Sequence, residues 1–78
     1  MATRKTLVKS RAGVRLQRIE RLAGRQVTQL SWRVSTMREN QSRTFADQVE
    51  AEDAFDIEVI ACLTDPIIID MQRRGLID

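Results

Sequence analysis

The clearest helical pattern in the chain lies between Ser10 and Gly24. Apolar residues recur there at intervals of four, three and four, which places them on one helix face: Ala12, Leu16, Ile19 and Ala23. Arginines follow nearly the same period along another face: Arg11, Arg15, Arg18, Arg21 and Arg25. Ser10 suits the N-cap, and Gly24 suits the left-handed position that ends a helix. The pattern therefore predicts an amphipathic helix over residues 11–23.

Residues 27–36 alternate between two faces. One face is mostly apolar and holds Thr28, Leu30, Trp32, Val34 and Thr36, while the other is polar and holds Gln29, Ser31, Arg33 and Ser35. The alternation and the β-branched and aromatic content favour a half-buried strand. A helical spacing of three, four and three also fits Val27, Leu30, Val34 and Met37. We favour the strand and keep the helix as the alternative.

Residues 37–63 predict a loop, a helix and a second strand. Residues 37–43 lack periodicity, whereas Thr44 and Asp47 have the spacing of a capping box and good helix formers follow. We therefore expect a loop over 37–43 and a helix over 45–54. Apolar residues then alternate with Asp56 and Glu58, which predicts a strand over 55–63. One long buried helix over 45–63 is the alternative.

The C-terminal segment carries the best helix boundaries in the chain. Asp65 is a suitable N-cap, and the only proline follows it at the first helical position. Gly75 supplies a left-handed C-terminal residue, after which Leu76 can close back onto Met71. These signals predict a helix over residues 66–74.

The elements together predict a single small α+β domain over residues 1–78. The order is helix, strand, helix, strand, helix, and residues 1–9 form a short basic N-terminal arm. Such a small sheet is barely stable alone, so we expect the protein to self-associate. The alternative is an all-α bundle with a degenerate helix-turn-helix around Gly24. Its fit is poor, because Arg25 and Arg33 occupy positions that are usually apolar.

Charge divides the 78 residues into two halves. Up to Thr44, eleven lysines and arginines accompany only Glu20 and Glu39, whereas nine acidic residues and two arginines follow from Phe45 onward. The formal net charge of +2 hides this segregation. A segregated charge distribution favours binding to a charged partner and carries no information about the fold.

Several kinds of chemistry are disfavoured by residues that the chain lacks. It contains no histidine and no tyrosine, and its three glycines form no phosphate loop. The acidic residues lack the spacing of a calcium loop. Cys62 is the only cysteine, and we expect a buried, unreactive thiol. We therefore expect no enzyme, cofactor, metal, small-molecule substrate or membrane span, and a cytoplasmic location.

The basic half predicts contact with nucleic acid. Arginine outnumbers lysine eleven to two, and the guanidinium group favours bidentate contacts with phosphate. We assign a nucleic-acid surface to Arg4, Lys5, Lys9, Arg11, Arg15, Arg18, Arg21 and Arg25. We assign a protein-partner surface to Asp47, Glu50, Asp53 and Trp32.

Two functions remain open on these grounds. The first is a regulator or nucleic-acid-associated protein, of the kind that mobile elements encode. The second is an assembly, adaptor or inhibitor subunit that acts through charge-complementary contacts with a protein partner or another copy. The three aromatic residues are expected in the core rather than as platforms for stacked bases.

Overall fold

The computed structural model describes residues 2–36 and 41–77 of the chain. Four antiparallel strands are followed by two helices: β1 (Ala2–Arg11), β2 (Val14–Ala23), β3 (Gln26–Thr36), β4 (Gln41–Phe45), α1 (Gln48–Leu63) and α2 (Pro66–Arg73). The strands lie in chain order in one sheet. The expected order of helix, strand, helix, strand, helix is therefore wrong, and so is the all-α alternative with its helix-turn-helix.

The segment expected as a helix over residues 11–23 instead forms the turn of a β-hairpin and its second strand, β2. Arg11 pairs with Val14, and the two residues between them, Ala12 (φ 54°) and Gly13 (φ 79°), form the turn. Positive φ at both central residues is what a tight type I′ hairpin requires. Residues 2–9, expected as a basic arm, are extended and paired with β2, with a bulge between Leu7 and Lys9. The helical spacing of the apolar residues did not produce a helix, because pairing between β1 and β2 determined the backbone conformation.

The strand expected over residues 27–36 is confirmed by β3, and the helical alternative is wrong. Trp32, Val34 and Thr36 are buried on the face that the alternation marked as apolar. The loop expected over 37–43 falls partly on residues 37–40, which lie outside the described residues. Its remaining residues belong to β4, where Phe45 pairs with Trp32.

One continuous helix, α1, replaces the expected helix over 45–54 and strand over 55–63. It begins after Asp47, whose side chain accepts a hydrogen bond from the Val49 N–H at 3.0 Å, so Thr44 is not the cap. Its buried residues fall on one helical face: Ala51, Ala54, Phe55, Val59 and Cys62. The exposed Ile57 and Ile60 hid this period, because they make the sequence look apolar on every side.

The helix expected at the C-terminus is confirmed by α2. The Asp65 side chain accepts a hydrogen bond from the Ile67 N–H at 2.9 Å. Beyond the helix, the Leu76 N–H donates to the carbonyl of Met71 at 3.0 Å, and Gly75 takes a φ of 73°. These are the contacts of a Schellman motif. Local capping signals were sufficient here because they need no distant partner.

The core lies between the helices and one end of the sheet. Its strand residues include Val14, Leu16, Trp32 and Val34, and its helix residues include Phe55. Within the described ranges, the core cluster contains no residue of 2–6, 18–23 or 26–31. We call these three ranges the uncovered end, and the part of the sheet beneath the helices the covered half. Six residues of β3 extend about 20 Å past Trp32, which contributes to overall dimensions of 45 × 22 × 17 Å.

Candidate nucleic-acid interface

The register of the strands defines the two faces of the sheet. Leu16 points toward the helices, so alternation places its neighbour Gln17 on the opposite face, together with its partner Arg33. Ile19 lies on that same face, between its partners Lys5 and Ser31. We call this side the helix-free face. It carries Thr3, Lys5, Leu7, Ser10, Arg15, Gln17, Ile19, Arg21, Ala23, Gln26, Gln29, Ser31, Arg33, Ser35, Ser42 and Thr44.

The helix-free face is positively charged. Its cations are Lys5, Arg15, Arg21 and Arg33, and none of its described residues is acidic. Lys5, Arg15 and Arg21 are exposed, and none of them forms an ion pair within residues 2–36 and 41–77. Arg33 is half-buried, and its Nε has no hydrogen-bond partner within the same ranges. The charged groups of Lys5, Arg15 and Arg21 therefore face solvent without internal neutralisation, whereas Nε of Arg33 is buried.

A different arrangement of charge occurs on the helix side of the uncovered end. Arg4 donates two hydrogen bonds to the buried Glu20 carboxylate, from Nη2 at 2.8 Å and from Nε at 3.2 Å. Arg18 Nη2 donates a third at 3.2 Å. The hydrogen bond from Arg4 is the largest cause that lowers the pKa of Glu20, and it outweighs the opposing effect of burial. The same hydrogen bond raises the pKa of Arg4.

The structure divides the expected arginine stripe between two faces. Arg15 and Arg21 lie on the helix-free face, as does Lys5. Arg11 pairs with Val14 and therefore belongs to the helix side, where Arg18 also lies. The single stripe is therefore wrong, because its residues alternate across a strand instead of following a helix.

Other basic residues of the expected surface hold internal contacts or occupy turns. Lys9 Nζ lies 3.7 Å from a Glu52 carboxylate oxygen and 5.8 Å from the centre of the Phe55 ring. Arg25 lies in the turn between β2 and β3 beside Gly24 (φ 64°). Arg33 was not among the expected site residues. The alternation of 27–36 had nevertheless placed it on the polar side of its strand.

The residues expected to meet a protein partner have separate positions. Asp47 caps α1, and Glu50 and Asp53 are exposed on that helix. Trp32 is buried in the core, so it offers little surface to a partner. The expectation that the aromatic residues belong to the core holds for Trp32 and Phe55.

Cys62 is buried, as expected, with its Sγ 3.7 Å from the Thr36 hydroxyl. Over the described ranges, no three acidic or cysteine side chains converge into a set that could hold a metal ion. The helices of the described part of the chain are too short or too polar to span a membrane.

Comparison of the chain with protein-family models, with curated proteins and with solved structures gave no match.

Proposed function

We propose that this protein binds nucleic acid through the helix-free face. One observation carries the proposal: the described part of this face holds four cations and no acidic side chain. The acidic residues of α1 project from the other side of the sheet, since α1 packs on the face that carries Leu16. A polyanion can therefore approach the helix-free face without meeting a like charge.

The side chains of this face favour contact with the sugar-phosphate backbone. Arginine binds phosphate oxygens in a bidentate manner, and serine, threonine and glutamine add neutral donors between the cations. Trp32 and its partner Phe45 point toward the helices, and none of the described aromatic residues lies on the helix-free face. Stacking on bases is therefore minor. We expect binding that depends strongly on salt and weakly on sequence.

The salt dependence of binding tests this proposal directly. Four phosphate contacts correspond to a slope of about −3 to −4 in a plot of log affinity against log salt concentration. Fluorescence anisotropy with labelled single-stranded and double-stranded oligonucleotides measures that slope. Failure of the protein to bind either oligonucleotide at low salt would remove the proposal.

A matched pair of double variants tests the location of the site. R15E/R21E reverses two charges on the helix-free face, whereas R73E/R74E makes the same change in net charge at the end of α2. We expect R15E/R21E to weaken binding by at least about tenfold and R73E/R74E to retain most of it. Equal losses would show that only net charge matters and would rule out this face as the site.

We also propose a non-enzymatic role in the cytoplasm. The chain lacks histidine and tyrosine, which removes the commonest general base and a common proton donor. Its single cysteine is buried next to Thr36, which suits a reducing compartment. Incubation with nucleic acid of either kind is expected to leave the strands uncleaved, which gel electrophoresis would verify.

A further inference from the structure

The helix side of the uncovered end carries an exposed apolar patch. Leu22 pairs with Val27, and Leu30 lies on the same face opposite Glu20. Leu22 is half-buried, while Val27 and Leu30 are 44% and 41% exposed. We call these three residues the uncovered patch. Strands are stabilised by burial of at least one face, and none of the described helices covers this end of the sheet.

A second exposed apolar surface lies on α1. Val49, Ile57 and Ile60 are 63%, 63% and 64% exposed, although the opposite side of the same helix is packed in the core. Asp53 and Asp56 lie among them and are also exposed. These five residues follow one stripe of the helix, which we call the outer α1 face. Aliphatic clusters of this kind on a small protein are typical of interaction sites.

The two surfaces are complementary in charge. Beside the uncovered patch, Arg4 and Arg18 surround the single carboxylate of Glu20. The exposed Arg25 lies in the turn that joins β2 to β3. The outer α1 face carries only negative charge, from Asp53 and Asp56. Two outer α1 faces would repel each other, and so would two uncovered patches. Contact of one kind of surface with the other is attractive.

The outer α1 face also fits within the length of the uncovered end, which contains the uncovered patch. The outer α1 face runs from Val49 to Ile60, which is about 17 Å of helix. The uncovered end extends about 20 Å beyond Trp32. Because the helices cover only one half of the sheet, the helix side has the shape of a step. Two copies related by a two-fold axis fit together with their helix sides facing each other. Each α1 then lies between its own sheet and the sheet of the other copy.

We propose that two copies of this chain form a two-fold dimer in which the outer α1 face of each packs on the uncovered patch of the other. The contact is isologous, so it closes at two copies and does not propagate into fibres. It leaves both helix-free faces on the outside of the dimer. The dimer does not rest on the proposed nucleic-acid binding and can be tested without any nucleic acid.

The first test compares leucine-to-aspartate variants on the two faces of the sheet. Sedimentation velocity over a wide range of protein concentration is expected to show a dimer for the wild type. L30D places a charge in the uncovered patch, whereas L7D makes the same change on the helix-free face. We expect L30D to raise the dissociation constant by at least about tenfold, and L7D to leave it nearly unchanged. I60D on the outer α1 face is expected to resemble L30D.

A charge exchange provides a second test that does not disturb packing. R25E reverses an exposed charge in the turn next to the uncovered patch, and D53R reverses one on the outer α1 face. Each variant is expected to weaken the dimer. The double variant R25E/D53R restores opposite signs and is expected to bind more tightly than either single variant. If circular dichroism shows that L30D does not fold, these charge variants still test the dimer.

Three results would overturn the dimer. The wild type could sediment as a monomer at every concentration. L7D could dissociate as strongly as L30D, which would locate the contact elsewhere. The double variant R25E/D53R could be no tighter than the single variants, which would exclude the reciprocal arrangement of the two surfaces.

Discussion

The covered half and the uncovered end of the sheet share the strands β1, β2 and β3 but differ in what lies against them, and β4 belongs only to the covered half. Leu16 in β2 is fully buried beneath the helices, whereas Leu30 in the adjacent β3 is 41% exposed. Both residues point to the same side, and the β2–β3 ladder continues through both regions with one register shift, between Arg21 and Leu22. The difference therefore comes from side-chain burial rather than from backbone hydrogen bonding.

Charge takes the place of an apolar core at the uncovered end. Glu20 is four residues beyond Leu16 on the same face of β2, and it is almost as buried. Arg4 and Arg18 supply the hydrogen bonds that a buried carboxylate requires. Arginine side chains can cover such a site with their aliphatic stems while their charged ends stay in water. The ion pairs of Arg4 and Arg18 thus satisfy the one carboxylate that this end of the sheet buries.

The largest expected effect comes from matched leucine truncations. Leu16→Ala removes a fully buried side chain of the covered half and is expected to lower the free energy of unfolding by about 2–5 kcal/mol. Leu30→Ala removes a side chain of the uncovered end that is 41% exposed, and we expect a smaller loss of about 1 kcal/mol. Urea unfolding at low protein concentration measures the free energy of unfolding of both variants. Equal losses would contradict the division into two regions.

A smaller effect is expected from Gly24→Ala in the turn between β2 and β3. Gly24 has a φ of 64°, and a Cβ there would meet no atom within 4 Å, so the cost is confined to the backbone. We expect a loss of about 1 kcal/mol. Hydrogen exchange should accelerate in residues 18–31 more than in 32–36. Uniform acceleration along β3 would mean that the two regions open together.

The smallest effect concerns Glu20 and pH. Its pKa is lower in the folded protein than in the unfolded chain, so it adds stability at pH values above its unfolded pKa, roughly 4.3. That contribution decreases as the pH falls through the lower, folded pKa. Glu20→Gln is therefore expected to lose less stability on acidification than the wild type. Arg4→Gln, which removes the main cause of the shift, is expected to fall between them.

Chemical unfolding at a series of pH values measures this dependence. Parallel curves for the wild type and Glu20→Gln would contradict the role of the carboxylate at the uncovered end. Acid unfolding that is unaffected by Arg4→Gln would contradict the assignment of Arg4 as the main partner of Glu20.

Local signals predicted some elements well and others poorly. The cap at Asp65 and the glycine at position 75 act within one turn of chain, so α2 could be predicted from them. The alternation around Trp32 predicted β3 and its buried face. The prediction failed for 11–23 because apolar spacing there fitted a helix, while the turn at Gly13 and the pairing with β1 produced a hairpin.

The candidate site was predicted in composition but not in arrangement. The excess of arginine in the first half of the chain is visible in the sequence, and Arg15, Arg21 and Lys5 share one face of the sheet. Arg18 was assigned to the same surface, yet it lies on the opposite face with Glu20. Arg33 was missed because it belongs to another strand, and only strand pairing brings it opposite Gln17.

The sequence by itself determined the separation of charge along the chain, the strand around Trp32 and the boundaries of α2, because each depends on composition or on neighbouring residues. Only the tertiary structure decided which cations share a surface and which end of the sheet lacks a helix layer. The physical reason is that strand register and sheet coverage are set by contacts between residues far apart in the chain. A shift of one residue in that register would move every arginine of a strand to the other face.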